Sequence, residues 1–68
     1  MTKEVTQREV ERFLRRAGWR LVRVRGGHNV WSSGDGKLTL AIPRHGVVSP
    51  GVVRQIIKVM PNAPESWR

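Results

Sequence analysis

His28 stands directly after two glycines and close behind two arginines, in the stretch "RVRGGHNVW" at residues 23–31. That combination can do chemistry. An imidazole titrates close to neutral pH, so it can take or give a proton. Arg23 and Arg25, on the same side of the turn, can stabilise charge on phosphoryl oxygens. One reaction needs these groups and no metal. A base takes the proton of an RNA 2′-hydroxyl, the freed oxygen attacks its own phosphorus, and an acid protonates the leaving 5′-oxygen. Gly26 and Gly27 leave room for a backbone to approach His28. Position alone leaves the matter open, because a histidine that begins a strand after a glycine turn is ordinarily solvated and idle. His45, in "PRHG", reads as a loop residue better placed for substrate contact than for catalysis. Lys37, Arg44 and Arg54 read either as substrate contacts or as ordinary surface charge. Trp19 and Trp31 fit a core better than a stacking platform.

Other chemistries fall away. There is no cysteine, which removes disulfides, thiolate metal sites and a cysteine nucleophile. Glu4, Glu9, Glu11, Asp35 and Glu65 are scattered. The first three read as cap and surface residues of a helix and Asp35 as a turn residue, so no paired-carboxylate site is expected. Two histidines do not complete a metal site. No P-loop, HExxH or GxSxG pattern occurs, and neither metal nor cofactor is expected. No apolar run approaches the ~20 residues that span a bilayer, and "MTKEVTQREVERF" is too polar for a secretory signal. A soluble, cytoplasmic protein is the expectation.

Charge is the strongest global signal. Thirteen Lys and Arg, ten of them Arg, face five Asp and Glu, for a net charge of +8. Such a field attracts polyanions, so nucleic acid, an acidic protein or both are the expected partners.

The elements that must position these residues follow from periodicity. Thr6 and Glu9 have capping-box spacing. Val10, Phe13, Leu14 and Ala17 form one apolar stripe, with Arg8, Glu11, Arg12, Arg15 and Arg16 on the other side. The spacing predicts a helix over 6–17. Arg15 and Arg16 suit its carbonyl-bearing end, and Gly18 suits a left-handed cap. "WRLVRVR", 19–25, is a strand with partial alternation: Leu21 has the opposite parity to Val22 and Val24. Gly26-Gly27 predicts a hairpin turn and "HNVWSS", 28–33, its return strand. "GDG" at 34–36 is a second turn. "KLTLAI", 37–42, alternates with Leu38, Leu40 and Ile42 on one side. Residues 43–51 read as a loop. Ser49-Pro50 reads as an N-cap with proline at the first helical position. Val53, Ile56, Ile57 and Met60 form a second stripe, stopped by Pro61. The tail 61–68 either packs back through Trp67 or is loose. The order is α-β-β-β-α in one domain, 1–68: a three-stranded antiparallel sheet with two helices on one face and the other face open, an α+β fold. Double-stranded-RNA-binding domains share this order.

The opening amphipathic helix, "RVRGGH", "W..GDGK.T.AIPRHG" and "SPGVVRQIIK" together resemble the HicA toxins of bacterial type II toxin–antitoxin systems, over about residues 6–60. No piece is distinctive alone; their order and spacing are. The resemblance implies a double-stranded-RNA-binding-like fold and metal-independent endoribonuclease action on mRNA that arrests translation. It also implies neutralisation by a HicB-like antitoxin covering the active face. It makes His28 the catalytic histidine of the family's Gly-Ser-His motif, matches Pro43 and His45 to a later Pro-x-His, and matches Gly51 to the glycine before the second helix. Arg23, Arg25, Gly26, Gly27, Lys37, Arg44 and His45 are then the expected substrate contacts. The second proton transfer falls to His45, a water or a residue the sequence does not single out. One departure stands out: Gly27 occupies the family's usual serine position. If that hydroxyl orients the histidine or binds phosphate, activity here is lower; if only turn geometry matters, glycine serves.

Overall fold

A computed structural model of the chain describes residues 4–44 and 46–68. Its elements, in order, are β1 (Val5–Thr6), α1 (Gln7–Arg16), β2 (Arg20–Arg25), β3 (His28–Ser32), β4 (Thr39–Pro43), β5 (Val47–Val48), α2 (Pro50–Val59) and a short 3-10 helix, Glu65–Trp67. β2, β3 and β4 form the expected antiparallel meander with β3 in the centre. β1 and β5 were not expected. They pair antiparallel, Val5 opposite Val48 and Thr6 opposite Val47, and each leads straight into a helix. Two-residue strands carry too little alternation to be read from sequence.

α1 begins and ends as its sequence dictates. Thr6 Oγ1 accepts from the Glu9 N–H at 3.2 Å, one half of a capping box. At the other end Gly18 takes φ +89°, the left-handed geometry only glycine adopts freely. The Gly18 N–H then donates to Arg15 O and the Trp19 N–H to Leu14 O. This double closure brings Leu14 and Trp19 into the core together. Ala17, predicted to lie on the apolar stripe, is exposed instead, because the helix stops before it and it serves as the cap. α2 starts with Ser49 in extended geometry and Pro50 at the first turn, although the Ser49 side chain makes no capping bond. Gly51, expected just before this helix, lies inside its first turn.

The core gathers Val10 and Leu14 of α1, Trp31 of β3, Leu40 and Ile42 of β4, and Val53 and Ile56 of α2, so both helices cover one sheet face. Leu38, predicted with Leu40 and Ile42, is exposed at the sheet's end. The tail packs back. Trp67 is buried, and its ring meets Phe13 edge-on, centroids 5.2 Å apart. In a domain this small, where burial is marginal, one indole is a large share of the core.

Glu11, read from the sequence as a surface residue, is half-buried and joins α1 to the sheet. Its Oε2 accepts from Asn29 Nδ2 at 2.7 Å and from Trp31 Nε1 at 3.0 Å. Asn29 is the one buried polar side chain among the described residues, and Glu11 is what makes its burial tolerable. The Arg15 guanidinium lies 5.3 Å from the Trp31 ring centroid and lids the same spot.

The turn between β3 and β4 is held by Asp35. Its Oδ1 accepts from Ser33 Oγ at 2.6 Å and from the Lys37 N–H at 3.0 Å. The Ser33 hydroxyl bond, then the Lys37 N–H, lower the Asp35 carboxyl below its ordinary range.

Three outcomes are expected. Glu11→Ala leaves Asn29 and the Trp31 N–H unsatisfied and costs about 1–3 kcal/mol, read as a Tm fall of roughly 4–8 °C per kcal/mol in thermal unfolding. Glu11→Gln, which keeps an acceptor oxygen, loses less. Trp67→Ala costs about 3–5 kcal/mol in denaturant unfolding. For Asp35 the folded-state pKa lies below the unfolded one, so its contribution is present above the unfolded pKa and is lost as pH falls through the folded one. The Tm gap between wild type and Asp35→Asn therefore shrinks on acidification. A gap that stays constant across acid pH would show that the carboxylate does not hold this turn.

Candidate functional site

The sheet face away from the helices carries the site, and the register decides what stands on it. Directly paired residues of an antiparallel sheet share a face. β3 alternates: Asn29 and Trp31 point to the helices, and His28, Val30 and Ser32 point away. β4 follows, with Leu40 and Ile42 inward and Thr39, Ala41 and Pro43 outward. β2 pairs Arg25 with His28, Arg23 with Val30 and Arg20 with Ser32. All three arginines therefore share the open face with His28.

That alignment needs a bulge. Arg20 and Arg23 are three residues apart and would fall on opposite faces of a regular strand. The register shifts between Leu21 and Arg23, so Val22 is the inserted residue. Leu21 and Val24 accordingly pair with Trp31 and Asn29 on the helix side. The broken alternation in "WRLVRVR" was the sequence's record of this bulge. It was the one available signal for Arg20, which sequence reasoning missed.

At one end of the sheet Arg25, His28 and Pro43 form a single row across three strands. The turn joining Arg25 to His28 uses Gly26 at φ +59°. Gly27 contributes its carbonyl, which accepts from the Arg44 N–H at 2.8 Å. Arg25, Gly26, Gly27, His28 and Arg44 are thus brought together, and Arg23 follows two residues along the same face. The His28 side chain is exposed. Lys37 is not brought to this end. It lies in the turn beyond the Ser32–Thr39 pair, and four residues of β3, roughly 14 Å at the usual strand rise, separate that row from His28. His45 lies outside the described residues.

The charge on this face has one sign. None of the five acids lies in β2, β3 or β4, while three of the ten arginines lie in β2. Phe13, Trp19, Trp31 and Trp67 all belong to the core or pack against it, so among the described residues the one ring this face offers for base stacking is the His28 imidazole. Among the described residues no group of three histidine, cysteine or acidic side chains comes together to hold a metal ion, and no helix is long and apolar enough to cross a membrane. The arrangement offers a proton-transfer group at the end of a cationic surface.

The chain matches no curated protein and no solved structure. It does match a family model described as the HicA toxin of bacterial toxin–antitoxin systems, over residues 7–60. That span runs from the first residue of α1 to Met60 after α2 and takes in the whole open face. With its meander, its two helices and the Gly-Gly-His turn all inside the match, the chain belongs to the HicA family of toxins from bacterial toxin–antitoxin systems.

Proposed function

We propose that this protein is an endoribonuclease that cleaves mRNA without a metal, arrests translation, and is neutralised by a HicB-like antitoxin that covers its open face. The observation that carries the reading is the cross-strand pairing of His28 with Arg25, on an open, acid-free sheet face in a chain of this family.

The chemistry follows from the placement. Arg25, with Arg23 behind it and Arg44 across the turn, holds the phosphate and offsets charge on its oxygens. His28 takes the proton of the neighbouring 2′-hydroxyl. That oxygen bonds to phosphorus, the bond from phosphorus to the 5′-oxygen breaks, and water or a second acid protonates the leaving oxygen. The products are a 2′,3′-cyclic phosphate and a 5′-hydroxyl. If His28 serves as the acid, the same groups act in the reverse sense. Gly26 and Gly27 keep side chains out of the way of the incoming backbone. His45 is a candidate for the second transfer. Lys37, at the far end, is a candidate contact for RNA extending beyond the reacting phosphate.

A second reading is a non-catalytic RNA-binding module of the same fold. It is favoured by Gly27, which engages Arg44 through its backbone alone and has no hydroxyl to orient His28. The two readings separate cleanly. Purified protein incubated with mRNA in excess chelator should yield fragments ending in cyclic phosphate. His28→Ala should lower that rate about 100- to 10,000-fold and abolish growth arrest on expression, with an unchanged unfolding curve. A His28→Ala protein that remains fully toxic would remove His28 from catalysis. Intact RNA with wild-type protein, together with affinity unaffected by the substitution, would favour the binding module.

A further inference from the structure

Arg20 lies at the far end of β2 from His28, yet the bulge at Val22 places it on the same face as Arg23 and Arg25. Without the bulge Arg20 would point to the helix side. The three guanidinium-bearing residues follow the exposed edge strand from the His28 row to the Ser32 row, a run of roughly 14 Å along β3. Lys37, in the turn after Ser32, stands at that same far end. The strip beside them holds only uncharged side chains: Val30 and Ser32 on β3, Thr39 and Ala41 on β4. The aromatic rings are in the core.

We infer that β2 is a phosphate rail: an RNA strand is held by its backbone from the His28 row to a distal subsite at Arg20 and Lys37, with Val22 as the insertion that recruits Arg20. This rests on the reading of the open face as the RNA-binding face. Guanidinium groups spaced along one edge suit a line of phosphates. A face whose one described ring is the His28 imidazole at its end offers little of the usual sequence-tolerant platform for single strands, so affinity comes from charge. The rail therefore binds RNA with little base preference and steep salt dependence. It also gives Lys37 a place in binding that its distance from His28 denies it in chemistry.

The probe is a labelled single-stranded RNA carrying 2′-O-methyl groups, which has no attacking hydroxyl and stays intact on the wild-type protein. Affinity is measured across a salt series. Arg20→Ala should weaken binding several-fold at low salt and reduce the slope of log affinity against log salt by about 0.7, the value for one phosphate contact on a single strand. Arg20→Lys should retain the slope. The exchange R20L/L21R keeps net charge but moves the cation to the helix side, and it should bind like Arg20→Ala. Wild-type binding by the exchange variant would mean that net charge alone matters and would overturn the rail. So would a slope unchanged by Arg20→Ala while Arg23→Ala lowers it, which would end the RNA path at Arg23. Tighter binding of poly-glutamate than of RNA, lost in Arg20→Ala, would assign the stripe to an acidic protein instead. Failure of the wild-type protein to bind RNA at low salt would remove the functional reading itself, whatever the variants do.

Discussion

The carboxylate of Glu11, shared between Asn29 and Trp31, is the constraint on which the open face depends. The two residues are alternate members of the central strand, so one acceptor fixes the facing of all of β3. A slip of one residue would turn His28 and Val30 inward and expose the indole and the amide. It would also leave a carboxylate against an apolar layer with nothing to bond. His28 therefore points outward because its neighbour is held from inside. The same contact docks α1, whose two buried residues alone make a narrow seam.

Small size makes this economy necessary. All four aromatic rings are spent on the core, and the part of the chain beyond the family match supplies one of them, Trp67. The open face is left with arginine, one described histidine and short neutral side chains. Its field comes from charge, and its shape from backbone register. Leu21 and Val24, on the helix side of the edge strand, remain 44% and 53% exposed. The edge is blunted by the bulge and by three like charges, which discourage pairing between copies of the chain.

Much of this was legible beforehand. Strong periodicity over many residues gave both helices, and Gly18 and Pro50 marked an end and a start. Turn glycines gave the meander, and with it the place of His28 at the exit of the hairpin turn, near the arginines of β2. Three features were hidden for distinct physical reasons. The β1–β5 pair is too short for a pattern. The bulge breaks the alternation of β2, so Arg20 was not placed with Arg23 and Arg25. Glu11 looked like solvent-facing charge because helical spacing says which side of a helix a residue is on, and not what lies across from it. Lys37 was placed with the site by its charge, although a strand's length separates it from His28.

The β1–β5 ribbon has one more consequence. Its strands run antiparallel, so the chain leaves for α1 at one end of the ribbon and for α2 at the other, and at the α1 end the Gln7 N–H reaches across to Gly46 O at 3.0 Å. Each helix start carries a partial positive charge of about half a unit from its unpaired N–H groups. The positive pole of α1 is thus tied by a backbone bond to the segment that leaves β4 at Arg44. The backbone itself adds to the positive potential near the His28 end of the sheet. That part of the field persists when any single arginine is replaced.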